Sequence, residues 1–323
     1  MTAADDRIDE FGFIAEILRP LATSPAARGL AADTAVLTPP AGAELVLTKD
    51  LMAAGRHYHP DDDPALVARK LLRVNLSDLA AAGAEPLGFL LGIAAAGPLP
   101  RSRLARFAEG LREDAVRFAC PLIGGDTISR TGAEVFSLTA IGHAPAGRAL
   151  SRAGARPGDG LYLTGCVGDA ALGLLARQGG VAGHPLWEER LALPQPRLAF
   201  AAAARDLIHA AVDISDGLAA DAGHMAEASG CRLVIAVDAL PLSQPTRALV
   251  AREPRYLKTV LTGGDDYELL IAAPAGAEAA LVAIAERTDT PLAAVGHVEE
   301  GTGVAFAGLA ERGLDLDAAG FTH

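Results

Sequence analysis

The chain has 323 residues, 50% of them hydrophobic and only 4% aromatic, with a mean hydropathy of +0.26 and a formal net charge of −12. That length points to two cores, because a single core seldom grows past about 250 to 300 residues. The apolar content excludes a disordered chain, and the negative charge without any Lys/Arg block excludes a nucleic-acid surface. The interior must be built from small side chains, chiefly Ala, Leu, Val and Gly.

The longest low-polarity stretch, residues 86–100, falls short of the roughly 20 apolar residues that a membrane span needs and reads as a buried strand with its loop. The chain opens on Asp5, Asp6, Asp9 and Glu10 where a secretory leader would have a basic and then an apolar region. Three widely spaced cysteines, Cys120, Cys166 and Cys231, fit reduced thiols and neither a disulfide framework nor a zinc site. The expectation is a cytoplasmic protein with no membrane and no nucleic-acid partner.

In chain order, residues 44–48 read as a strand, and residues 64–74 as a helix with proline in its first turn. A strand over 87–94, a helix over 100–119 and a strand over 135–142 follow. The simplest arrangement is a sheet with helices on one face. Residues 143–160 are rich in Gly, Pro, Ala and Arg, which suits a change of domain. The expected domains are therefore 1–146 and 147–323. Beyond that boundary a strand is read over 161–164, helices over 169–177 and 197–210, and a helix after Gly217. Strands over 232–237, 268–273 and 293–298 complete an α/β pattern. The fragments IGGD (123–126) and TGGD (262–265) are alike, but four residues are too few to establish duplication.

The chemistry-bearing feature is a set of aspartates placed where apolar segments end: Asp33, Asp50, Asp78, Asp126, Asp213 and Asp216. Any one of them taken alone reads first as an N-cap or turn residue, positions that Asp prefers. Six together suit a hard dication such as Mg²⁺, which takes oxygen ligands and bridges carboxylates to substrate phosphates. A carboxylate and a phosphate about 4 Å apart repel by ~4 kcal/mol at an effective dielectric near 20, so such contacts need intervening metal. Neither a P-loop nor a protein-kinase signature is present. The turn TGCVG (164–168) between a strand and a helix either aims backbone N–H groups at an anion or is a close-packing turn.

Taken together, TKDLMAAGRHY (48–58), VNLSDLAAAG (74–83), LIGGDT (122–127), DISDGL (213–218), LTGGDDYEL (261–269) and the ending GFTH (320–323) resemble the thiamine-monophosphate kinase family. That family belongs to the superfamily of aminoimidazole ribonucleotide synthetase and selenophosphate synthetase. The resemblance runs in family order over nearly the whole chain. It implies an α/β (α+β type) two-lobed fold, with the N-terminal lobe's sheet pairing across a homodimer, and an active site in the cleft between lobes. It also implies ATP-dependent phosphorylation of thiamine monophosphate to thiamine diphosphate with several Mg²⁺ ions. The matching metal positions are Asp33, Thr48, Asp50, Asp78, Asp126, Asp213 and Asp216. Gly125, Asp126, Arg152 and Ser215 match nucleotide positions, and His57, Asp265 and Phe321 match positions that hold thiamine.

The acceptor is a phosphate monoester whose second pKa lies near ~6, so it is already a dianionic nucleophile at neutral pH. Direct in-line transfer with no catalytic base and no phosphoenzyme follows. A flat, cationic thiazolium suits an aromatic and an acidic neighbour, Phe321 and Asp265. Three departures stand out. Ala32 in Ala31-Ala32-Asp33 replaces the first acid of the family's Gly-Asp-Asp, Lys49 replaces a hydroxyl residue beside Asp50, and Asp265 shortens a common Glu. The first two lead to the expectation of a reduced or altered Mg²⁺ set. Two other readings remain: a superfamily relative with a different acceptor, and a catalytically silent nucleotide or thiamine-phosphate binder.

Overall fold

The computed structural model describes residues 8–95, 100–129 and 131–316. Phe321 and the GFTH ending lie outside the described residues. The chain divides into two compact units, residues 1–79 with 85–147, and residues 80–84 with 148–323. Among the described residues no helix is long and apolar enough to cross a membrane.

The first unit begins with a short helix α1 (Glu10–Gly12) and irregular turns, then builds β1 (Ala43–Ala53), α2 (Pro64–Ala81), β2 (Glu85–Ala95), α3 (Arg101–Arg117), β3 (Leu122–Ser129) and β4 (Val135–Pro145). The Asp63 carboxylate accepts the Ala65 N–H at 3.0 Å, and Pro64, whose missing N–H costs nothing there, opens α2. The sheet order is β1-β4-β2-β3, with β2 and β3 parallel and the other pairs antiparallel. Helices cover one face: Phe107 of α3 stacks on Phe136 of β4 with centroids 4.2 Å apart. The buried Arg73 of α2 clamps the buried Asp114 of α3 at 2.5 and 3.0 Å, a bidentate geometry that compensates both charges inside the core.

The second unit contains β5 (Asp159–Thr164), α4 (Asp169–Arg177), α5 (Pro185–Ala192), α6 (Leu198–Ala204), β6 (Ala210–Asp213), α7 (Leu218–Ser229) and β7 (Arg232–Ala236). It continues with α8 (Gln244–Arg252), α9 (Tyr256–Thr262), β8 (Leu269–Pro274), α10 (Glu278–Arg287), β9 (Leu292–Glu299) and β10 (Gly303–Ala307). Its sheet order is β10-β7-β9-β5-β8-β6, antiparallel except for the β10–β7 pair. Apolar clusters pack on both sides of β5 and β8. Leu161, Leu163 and Leu270 join one cluster, while Tyr162, Leu269 and Ile271 join the other, as the two-residue period of a strand requires.

The helix read over 197–210 is shorter than expected. α6 ends at Ala204, a 3₁₀ turn follows, and residues 210–213 form β6 against β8. Alanine's helix preference is worth only tenths of a kcal/mol per residue, and pairing with a buried strand overrides it. The helices α5, α8, α9 and α10 and the strands β3 and β10 carry no reading of their own in the sequence pattern.

Candidate functional site

In the first unit the expected metal residues form two groups. Thr48 and Asp50 lie on the helix-facing side of β1, where the Thr48 hydroxyl donates to the Asp78 carboxylate of α2. The Asp50 N–H donates to Asn75 Oδ1 at 3.1 Å, which ties this part of β1 to α2. The alternation of a strand sends Lys49 to the other face. There a cavity of about 750 Å³ is lined by Lys49, Ser137, Thr139, Asp33 and residues 122–127, with apolar walls that include Leu30, Leu37 and Ile141. Its volume lies in the range of small-molecule sites. Asp126 is exposed on this wall, and its own carboxylate accepts the Thr127 N–H at 2.9 Å. Gly125 has a packing reason to be glycine: a Cβ there would lie 2.0 Å from the Leu91 carbonyl oxygen of β2.

His57 sits in the turn after β1, exposed, with Nδ1 accepting the Ala53 N–H at 3.0 Å. That bond places the proton of a neutral ring on Nε2. The turn is pinned by its neighbour Tyr58, whose hydroxyl donates to Glu134 Oε1 at 2.9 Å, where Arg103 also donates at 2.9 Å. Burial, then the Glu134 charge, push the Tyr58 phenol far above its ordinary value, so it stays a donor.

In the second unit Asp213 ends β6, buried, and Ser215 and Asp216 occupy the turn into α7. Asp221, in the first turn of α7, accepts the N–H groups of Ser215, Asp216 and Gly217 at 3.0, 3.0 and 3.1 Å. Burial pushes its carboxyl up to about 6 against the lowering effect of those hydrogen bonds. Asp216, Asp221 and His224 bring ligand atoms within 4.8 Å of one another, the one such group of three among the described residues. Sequence reasoning named Asp216 but missed the other two. Their signal was the spacing, since Asp221 and His224 at i, i+3 share a face of α7.

Asp265 stands at φ 73° and Tyr267 at φ 52°, both left-handed, on either side of Asp266. The Asp265 N–H donates to the Ser215 carbonyl at 2.9 Å and the Tyr267 N–H to the Ile214 carbonyl at 2.8 Å, so this turn braces the 213–217 turn. A Cβ on Gly264 would lie 2.0 Å from the Ser215 oxygen. The buried Asp266 carboxyl accepts the Gly168 N–H at 2.6 Å and the Ala170 N–H at 3.2 Å. Of the N–H groups in the 164–168 turn, Gly168's is thus taken by the protein's own acid, and those of Gly165 and Val167 go to the Pro291 and Pro241 carbonyls, at 2.9 and 3.1 Å respectively. Glu268, also buried, is held bidentate by Arg197 at 2.6 Å twice and by the Thr164 hydroxyl at 2.7 Å. Arg152 is exposed, and its carbonyl accepts the Ser229 hydroxyl at 3.1 Å.

The AIR synthase related protein N-terminal domain matches residues 31–144, and the C-terminal domain of the same family matches residues 156–308. The thiamine-monophosphate kinase of Caulobacter vibrioides is 41% identical over 300 residues, covering 91% of this chain and 85% of that protein. This chain belongs to the thiamine-monophosphate kinase family. A thiamine-monophosphate kinase of this family from Stenotrophomonas maltophilia K279a, 36% identical, superposes with a TM-score of 0.84 over 93% of this chain and 97% of that one. The structure of AaThiL complexed with AMPPCP and TMP, 28% identical, matches with a TM-score of 0.76 over 100% of this chain and 99% of its own. As a thiamine-monophosphate kinase family member, the chain has the family's two-domain α/β architecture, with one sheet in each unit.

Proposed function

We propose that this protein transfers the terminal phosphoryl group of ATP to thiamine monophosphate, forming ADP and thiamine diphosphate, by direct in-line displacement. The observation that carries this reading is the end-to-end match to a relative whose structure holds an ATP analogue and TMP together. Close kinases of the same name extend it across most of the chain.

The donors present fit Mg²⁺: Thr48 with Asp78 and Asp50 on one face of β1, Asp33 and Asp126 on the cavity wall, and Asp213 and Asp216 in the second unit all offer hard oxygens. Bound there, Mg²⁺ would neutralise charge on the transferring phosphoryl group. Gly125, Asp126, Arg152 and Ser215 serve the nucleotide, and His57, Asp265 and Phe321 serve thiamine monophosphate. The His57 Nε2–H suits a phosphate oxygen. The turn geometry fixed by Asp221 and Asp266 holds Ser215, Asp216 and Asp265 in place. No side chain takes the phosphoryl group in passing: the acceptor phosphate is itself the nucleophile, and the Cys166 thiol is pushed up to about 11 by burial and by Asp169 and Glu268.

The protein acts in the cytoplasm as a homodimer joined through the first unit's sheet. Leu45, Leu47 and Leu51 along the edge strand β1 are 44%, 61% and 52% exposed, an apolar stripe that a second copy would cover. Incubation of purified protein with Mg-ATP and thiamine monophosphate should release ADP and thiamine diphosphate in equal amounts. Nucleotide binding without turnover, or turnover only with another acceptor, would overturn the reading.

A further inference from the structure

The strand register of the first sheet lays two rows across the face opposite its helices. One row is Leu51, Ser137, Gly92 and Asp126, and the next is Lys49, Thr139, Leu90 and Gly124. Ser137 and Asp126 are two strands apart, roughly 10 Å. The position between them is Gly92, which has no side chain, so a trough opens along the cavity wall. Asp126 stands on one bank, and Ser137 with Lys49 stands on the other.

Lys49 does not extend along the edge of the sheet. Its ammonium folds inward over β4 and donates to Ser137 Oγ at 2.6 Å and Thr139 Oγ1 at 3.5 Å. Both partners are neutral, and among the described residues no carboxylate pairs with Lys49. An ammonium has three N–H donors, and each hydroxyl that accepts one of them keeps its own O–H to donate. The result is a positive charge and two hydroxyl donors held on one bank of a cavity whose other charged residues are Asp33 and Asp126. Such a bank favours phosphate oxygens, and the opposite bank favours the metal that accompanies them.

We propose that Lys49, with the hydroxyls of Ser137 and Thr139, is a phosphate subsite that grips the polyphosphate of the nucleotide directly, without a metal ion in between. This inference rests on the ATP-dependent reading above and adds to it the residue that supplies cationic charge where the chain lacks an acid at Ala32. In consequence the nucleotide keeps measurable affinity when divalent metal is removed, and turnover needs less Mg²⁺ than it would with a neutral residue at position 49.

The test is calorimetric titration of ADP into the full-length protein in EDTA. The wild type should bind, and Lys49→Met should bind about tenfold more weakly, the effect of losing one charge-assisted contact. Lys49→Arg should stay within about threefold, and Ser137→Ala should show a smaller loss than Lys49→Met. Thermal melts establish that each variant is folded, and Lys49→Thr replaces Lys49→Met should the latter fail to fold. Half-saturating Mg²⁺ in the kinase assay should also rise in Lys49→Met. Equal ADP affinity of wild type and Lys49→Met in EDTA, or no binding by the wild type at millimolar ADP, would overturn the proposal. Failure of the wild type to form thiamine diphosphate would instead overturn the reading on which it rests, and the two results are read separately.

Discussion

Asp266 illustrates how one side chain organises its surroundings. Its buried carboxyl group takes two N–H groups at the start of α4. Asp266→Ala would leave both donors buried and unpaired, at about 1–3 kcal/mol each, and should lower the melting temperature by several degrees. Burial, followed by the charges of Asp169 and Glu268, raises the carboxyl well above its ordinary range against the pull of the two N–H bonds. The folded protein therefore holds this proton at pH values where the unfolded chain has released it, and stability declines as pH rises from about 4 through the folded-state pKa. Melting temperatures across that range should fall less steeply in Asp266→Asn than in wild type. Cys166 follows the same physics: with its thiol near 11, roughly one molecule in a thousand carries a thiolate at pH 8. Iodoacetamide should label the native protein far more slowly than the unfolded one, as mass spectrometry would record.

At the level of the element, the turn that enters α7 shows why a motif is more than its ligands. DISDGL was legible as a pair of acids, yet the conformation of residues 215–217 depends on Asp221, four residues past the last backbone N–H it captures. Asp221→Ala should leave far-ultraviolet circular dichroism near wild type, because most of α7 is unaffected. Phosphoryl transfer should fall by at least about tenfold, and amide exchange at residues 215–217 should accelerate, because three N–H groups lose their acceptor. Unchanged exchange would show that the 263–268 turn suffices to hold this segment. β1 makes the complementary point. A strand has two faces, so TKD sends Thr48 and Asp50 toward α2 and Lys49 toward the cavity, and adjacent letters of one motif serve different surroundings.

For the whole molecule, the exposed stripe on β1 is the feature that a monomer has least reason to keep. Leu47→Asp places a charge in its centre and should shift the mass measured by light scattering from two chains toward one, with little change in the secondary structure of either unit. A wild-type mass of one chain would remove the homodimer from the proposal. The division into units also shows something that a linear boundary hides: residues 80–84, the end of α2 and the turn after it, belong with residues 148–323. The Leu150 N–H donates to the Ala82 carbonyl at 2.9 Å, and Arg205 donates to the Gly83 carbonyl at 2.6 Å.

The amino-acid pattern by itself determined the α/β class, the order of most strands and helices, and the acids and glycines of the motifs, because these follow from local periodicity and side-chain chemistry. It could not determine the strand status of residues 210–213, where alanines obey whichever partner buries them. It could not show that Asp266 already occupies the Gly168 N–H of the 164–168 turn, nor that Lys49 leans on Ser137 and Thr139 on one bank of a glycine trough. Those facts depend on register between strands far apart in the chain. Register is set by packing over the whole sheet, and no short stretch of sequence carries it.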